Sequence, residues 1–322
     1  KGNTLLQWFG LDNTLIDGIA ERNPQKYGLK TVGSNIPIFS EDEMRSANPD
    51  YVLILPWHFI DEFKMRESKY LSGGGKFIVP CPLIFGINGQ DGFYLKKLLN
   101  QKGYHVVGYD GDIRDGLLVE STIRDAKPNE IYNLVGQQKD RISFEFPYDV
   151  VSAICTGTLN VLESIKNINQ DIRYFQSSSS EIFGREWPDW FNARSKLKHL
   201  RCPIMGEYSG FKPSTPYSIA RVFSQNMVAA YRNEYDIHAS VGILFNHESP
   251  KRNLSYVTRK ITNTIAKIKL GMVDKLELGN VGIIKDYGFA GDYVKAMWLM
   301  LQQDIPDDYV IATKEPTSVL EF

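Results

Sequence analysis

Cysteine, an excess of one charge and long apolar runs are what this chain lacks. Its 322 residues include only three cysteines, Cys81, Cys155 and Cys202. An odd count with no C-x-x-C spacing excludes a disulfide framework and suits reduced thiols. The five histidines, His58, His105, His199, His238 and His247, are scattered, so no metal site is expected. Lysine plus arginine number 37 against 38 for aspartate plus glutamate. That balance argues against a nucleic-acid surface built on net charge, while leaving room for a local basic pocket. No run of apolar residues is long enough to span a membrane. The N-terminus does not read as a signal peptide, and a cytoplasmic protein is the expectation. What is present is a chain 43% apolar and 23% charged, able to bury a sizeable core in one large or two smaller domains.

The first 80 residues alternate strand and helix signals. Residues 50–56 read as a buried parallel strand stopped by Pro56. Ser40, with Glu43 three residues on, reads as a helix N-cap with a capping box. Gly73, Gly74 and Gly75 turn the chain into a second strand over residues 76–79. This is a small Rossmann-like α/β unit. Residues 1–6, 49–53, Pro56-Trp57-His58-Phe59 and 74–80 look like the C-terminal domain of sugar C-methyltransferases. The methyl-donor loop and zinc-ligand segment of that family have no counterpart here, so the resemblance implies a packing role. Pro80-Cys81-Pro82 is expected to be a short linker, dividing residues 1–80 from 81–322.

Residues 83–85 are apolar and read as a strand, and 93–101 read as a helix. Between them Gly86, Gly89 and Gly92 give G-x-x-G-x-x-G, interleaved with Asn88, Gln90 and Asp91. Glycine permits the tight turn, and a Cβ would keep a pyrophosphate from the amides of a helix N-terminus. A ligand-free glycine turn is the plain alternative. Residues 105–110 read as the next strand, and Asp110 at its end is placed to bond a ribose 2′-hydroxyl. Asp112 and Ile113 follow almost at once.

Three later clusters carry chemistry. Residues 131–134 read as a strand leading to Gly136, Gln137 and Ser143. Ser177, Ser178, Ser179 and Ser180 precede Glu181; alone, a serine run is more often a loop than a site. Tyr217 and Arg221 share a helix face at i, i+4 spacing. A phenol serves as a base at neutral pH only beside a fixed cation. A guanidinium keeps that charge but not the compact shape of an ammonium.

Over residues 83–322 these clusters resemble extended short-chain dehydrogenases, most of all the GDP-mannose 4,6-dehydratases. Residues 133–144 match Asn-Leu-Ala-Ala-Gln-Ser-His-Val-x-Val-Ser-Phe, and residues 178–184 match Ser-Thr-Ser-Glu-Leu-Tyr-Gly. Residues 217–221 match Tyr-x-x-x-Lys, and residues 244–252 match Leu-Phe-Asn-His-Glu-Ser-Pro-Arg-Arg. The resemblance implies a Rossmann-type doubly wound parallel sheet with a C-terminal substrate lobe, shorter than is usual in the family. It implies Ser179, Glu181, Tyr217 and Arg221 as catalytic residues, with Arg221 standing where the family has lysine. For the cofactor it implies Gly86, Asn88, Gly89, Gln90, Asp91, Gly92, Asp110, Asp112, Ile113, Leu134, Gly136, Gln137, Tyr217, His247 and Arg252. For the substrate it implies Ser143, Asn246, Lys260 and Lys285, the last replacing an arginine. The implied cofactor is NADP, yet the segment that holds a 2′-phosphate is missing before Asp112, which leaves NAD open. GDP-mannose as substrate and a homo-oligomer are likewise implied. An epimerase or reductase would keep Tyr217 and not need Glu181. A nucleotide-sugar-binding protein without turnover would account for Arg221.

Overall fold

The computed structural model describes residues 6–7, 10–55, 60–78, 81–136, 140–184 and 205–322. The chain divides into two compact units, Lys1–Pro80 with Gly103–His105, and Cys81–Lys102 with Val106–Phe322.

In the first unit β1 (Ile19–Glu21) pairs in parallel with β2 (Ile38–Ser40), and β3 (Tyr51–Leu53) with β4 (Lys76–Ile78). Helix α1 (Glu41–Ala47) starts as the sequence predicts. The Ser40 hydroxyl accepts from the Glu43 N–H at 3.1 Å, and the Glu43 carboxylate accepts from the Ser40 N–H at 2.7 Å. Helices α2 (Ile60–Arg66) and α3 (Ser68–Ser72) follow. Glu67 is buried and takes two bonds from Arg45, at 2.8 and 2.6 Å, and one from Arg66 at 3.1 Å. Residues 50–55 depart from expectation, and Pro56 lies outside the described residues. The strand is parallel but not buried, since Tyr51 is 57% exposed. With one partner strand, β3 is all edge, and Ile54 just past its end carries the burial, packed by Val52, Phe63 and Phe77.

In the second unit six strands form one parallel sheet: β5 (Pro82–Phe85), β6 (Val107–Tyr109), β7 (Glu130–Asn133), β8 (Arg173–Ser179), β9 (Ala239–Leu244) and β12 (Asp308–Ile311). Their order is β12-β9-β8-β7-β5-β6. Every residue of β5, β7 and β9 is buried, as parallel strands covered on both faces require. Two groups of helices cover the sheet. Helices α5 (Gly116–Ala126), α7 (Pro147–Ile168) and α8 (Pro216–Tyr235) pack together, and α4 (Gln90–Lys102) packs with α10 (Ala290–Leu301). Leu83, Ile131, Val161, Ile165 and Val241 are fully buried in the core. Each such side chain contributes about 1.5–3 kcal/mol. A short α6 (Asp140–Glu145) precedes α7. A smaller mixed sheet joins β10 (Asn246–Glu248) in parallel to β11 (Ile284–Phe289), which pairs antiparallel with β13 (Pro316–Ser318). Helix α9 (Val257–Lys269) lies between β10 and β11 in the chain.

Strand β5 is flanked by β6 on one side and β7 on the other, so the chain reverses its direction of travel across the sheet at β5. A crevice outside the carboxyl ends of such strands is the usual ligand position in open α/β sheets. Among the described residues, no helix is long and apolar enough to cross a membrane.

Candidate active site

At this reversal lies a cavity of about 590 Å³. Residues 86–89 after β5, residues 109–114 from the end of β6, and Val135 and Gly136 after β7 line it, with Phe146, Asp149, Val150 and Ala153 beside them. The glycines are needed where they stand. Gly86 has φ +82°, and a Cβ on Gly92 would sit 2.5 Å from the Gly86 carbonyl oxygen. Helix α4 begins at Gln90, three residues before the sequence suggested, so its first amides end at the loop. That arrangement suits an anionic diphosphate. The loop fits a dinucleotide, because its glycines let the turn close tightly with Gly86 and Gly89 bare at the cavity wall.

Asp110 accepts from Asn88 Nδ2 at 2.9 Å. Asp112 takes Arg114 Nε at 3.0 and 2.9 Å and Nη2 at 2.6 Å. Those bonds hold the Asp112 carboxyl below the usual range. Arg114 also reaches Asp149 at 3.0 Å. The arginine lining the cavity is therefore already shared by two carboxylates. Ile113 is buried at the cavity wall. Leu134 donates its N–H to the Phe85 carbonyl, and its backbone would meet a Cβ on Gly86 at 3.2 Å. Gln137 lies outside the described residues.

Among the described residues assigned to the cofactor by resemblance, Gln90, Asp91, Gly92, Leu134, Tyr217, His247 and Arg252 are not in the cavity lining. Gln90, Asp91 and His247 brace α4 against β10 instead. His247 Nε2 bonds Asp91 at 2.9 Å, and its Nδ1 is 2.8 Å from the Phe245 carbonyl. Gln90 donates to the His247 carbonyl at 3.0 Å and accepts from Ser249 at 2.8 Å. Burial opposes the imidazolium, but the Asp91 charge and the hydrogen bonds to Asp91 and the Phe245 carbonyl together outweigh it and raise the pKa of His247. Burial likewise pushes Asp91 up, and the His247 charge, the bonds from His247 and Gln90 and the Arg252 charge together leave it lowered. Arg252 rests 3.9 Å over the Tyr256 ring, with Nε 3.5 Å from Glu248.

The acid–base candidates gather at the carboxyl end of β8. Thr215 caps α8 through a capping box with Ser218, which puts Tyr217 in the first turn and Arg221 one turn on. Both are buried, at 3% exposure. Arg221 Nε donates to Tyr217 Oη at 3.1 Å. Its Nη1 donates to the Ser177 carbonyl at 2.7 Å and to Ser177 Oγ at 3.2 Å. Ser179, fully buried, accepts from the Glu181 N–H at 3.3 Å. The Glu181 carboxylate meets Lys285 Nζ of β11 at 3.0 Å. The sequence did not foresee this last pairing, having given Lys285 to the substrate. The other substrate candidates are dispersed. Ser143 is fully buried on α6, Asn246 stands on β10, and Lys260 on α9 lines a separate hollow of about 480 Å³.

Comparison with known proteins places the chain in a family. Residues 1–82 match the family model described as C-methyltransferase C-terminal domain. The GDP-mannose 4,6 dehydratase 1 of Arabidopsis thaliana is 38% identical over 291 residues, covering 79% of this chain and 76% of that protein. The structure of RMD from Pseudomonas aeruginosa complexed with NADPH is similar at TM-score 0.66 and 19% identity, covering 76% of this chain and 81% of that one. The UDP-glucose 4-epimerase of Thermus thermophilus in complex with NAD is similar at TM-score 0.63 and 18% identity, covering 74% and 79%. The family model described as GDP-mannose 4,6 dehydratase matches residues 109–322, more than half of the chain, and the chain belongs to that family.

Proposed function

We propose that this protein is a nicotinamide-dependent hydro-lyase converting GDP-mannose to GDP-4-keto-6-deoxymannose with loss of one water. The observation that carries the reading is that two base–cation pairs meet at one strand end. Tyr217 with Arg221 is anchored on Ser177, and Glu181 with Lys285 stands four residues beyond. An epimerase or reductase at O4 needs one base; a dehydratase needs a second for the proton at C5.

Tyr217 takes the O4 proton, and Arg221, donating to the same oxygen, meets the negative charge there. Ser179 steadies O4. A nicotinamide held in the cavity would supply the redox chemistry, a hydride exchange that oxidises C4 and later reduces C6. The 4-keto group acidifies C5–H. Glu181 removes that proton and is then placed to protonate the departing C6 hydroxyl. C5 regains a proton, the equivalent of the one that Tyr217 took from O4, so the net change is one water lost. Residues 86–92 would hold the cofactor diphosphate and Asp110 its adenosine ribose. With Arg114 committed to Asp112 and Asp149, the cavity favours a free 2′-hydroxyl, and so NAD over NADP.

Mass spectrometry of GDP-mannose after incubation with the protein tests the reading. Loss of one water, absent with Tyr217→Phe, is the expected result. Unchanged sugar together with measurable binding would overturn it in favour of a binding protein.

A further inference from the structure

A guanidinium needs more room than an ammonium, and at Arg221 the room comes from Gly136. A Cβ built on Gly136 would stand 1.9 Å from Arg221 Nη2 and 2.8 Å from Cζ. Non-bonded carbon and nitrogen do not approach so closely, so a side chain at 136 and the guanidinium in its present place exclude one another. Arg221 has no inexpensive way aside. It is buried, and moving it would break its bonds to Tyr217 and Ser177 and leave buried donors unpaired. The sequence adds a second observation. The run that residues 133–144 resemble has alanine where Gly136 stands, and the Tyr-x-x-x-Lys pattern has lysine where Arg221 stands. Both positions depart from the pattern, and they are in contact with each other.

We infer that Gly136 and Arg221 are a matched pair: the absent side chain at 136 is what allows arginine to replace lysine beside Tyr217. Gly136 is then a positioning residue for the acid–base pair as well as part of the cavity wall. The consequence for turnover rests on the dehydratase reading; the steric pairing does not.

A double-mutant cycle in the full chain tests it, using Gly136→Ala, Arg221→Lys and the double variant. Gly136→Ala alone is expected to lower kcat on the order of 100-fold with little change in KM, because the cation beside Tyr217 is displaced. In the Arg221→Lys background the same change should cost less than about threefold, a coupling far beyond simple additivity. The backbone at Gly136 has φ +156°, so strain from alanine is common to both backgrounds and cancels in the cycle. Equal cost in the two backgrounds would overturn the pairing. If the wild type does not dehydrate GDP-mannose, the dehydratase reading fails by itself. The same cycle is then read in the thermal unfolding midpoint and in affinity for NAD. Rescue of Gly136→Ala by lysine supports the pair, and no rescue overturns it.

Discussion

The two base–cation pairs at the end of β8 are built differently. Tyr217 and Arg221 are each 3% exposed, lie one turn apart on one helix, and are tied to the β8 backbone through Ser177. Glu181 and Lys285 are 104 residues apart, with side chains 16% and 34% exposed, and their 3.0 Å contact links the end of the large sheet to β11 of the small one. The first pair is fixed before any substrate arrives. The second joins two sheets through a half-exposed lysine, which can exchange Glu181 for an incoming anion. In the proposed reaction O4 must be met in one geometry while the group at C6 departs, so rigidity at one base and latitude at the other suit the two steps.

Substitutions at the two pairs should differ in effect. Tyr217→Phe should have the largest effect, lowering kcat by about 10²–10⁴-fold while calorimetry still shows GDP-mannose binding. Glu181→Gln should match it in water loss yet still allow oxidation at C4, seen as a 4-keto sugar that keeps its C6 oxygen. If both variants stop oxidation alike, the division of labour is wrong. Lys285→Met should cost about 10-fold in kcat, since Glu181 loses a partner rather than its own carboxylate. A loss as large as that of Tyr217→Phe would mean that the second pair is as fixed as the first.

Smaller effects concern the scaffold. Asp91→Asn should destabilise by about 2 kcal/mol through loss of the charged bond to His247. His247 is raised above its ordinary 6.5, so its contribution is complete below that pH and fades as pH rises through the raised value. Asp91 is lowered below 3.8, so its contribution is complete above that pH and is lost only as pH falls through the lowered value. The gap in unfolding temperature between wild type and Asp91→Asn should therefore be widest near neutral-to-mildly-acid pH and shrink on the alkaline side. In the first unit, Ser40→Ala removes the cap of α1 and should cost about 1 kcal/mol, read from thermal unfolding, without changing turnover.

What the sequence made legible was local. The glycine loop, the Ser40 cap and the i, i+4 placement of Tyr217 and Arg221 each depend on residues within a few positions of one another. What it hid was long-range. The separation of 156 residues between Asp91 and His247 and of 104 between Glu181 and Lys285 carries no periodicity to read. Residues 50–56 misled for a related reason: an apolar run shows strand propensity, but burial depends on neighbours that here number one strand. Gly136 offered a signal that went unused, a glycine where the resembling run has alanine.

Internal redox chemistry at one site moves a hydride from C4 to C6, and the fate of a deuterium placed at C4 of GDP-mannose reports it. The prediction is a product lighter by one water that carries the deuterium at C6. Product with the label lost to solvent, or recovered sugar with the label still at C4 after complete binding, would contradict it.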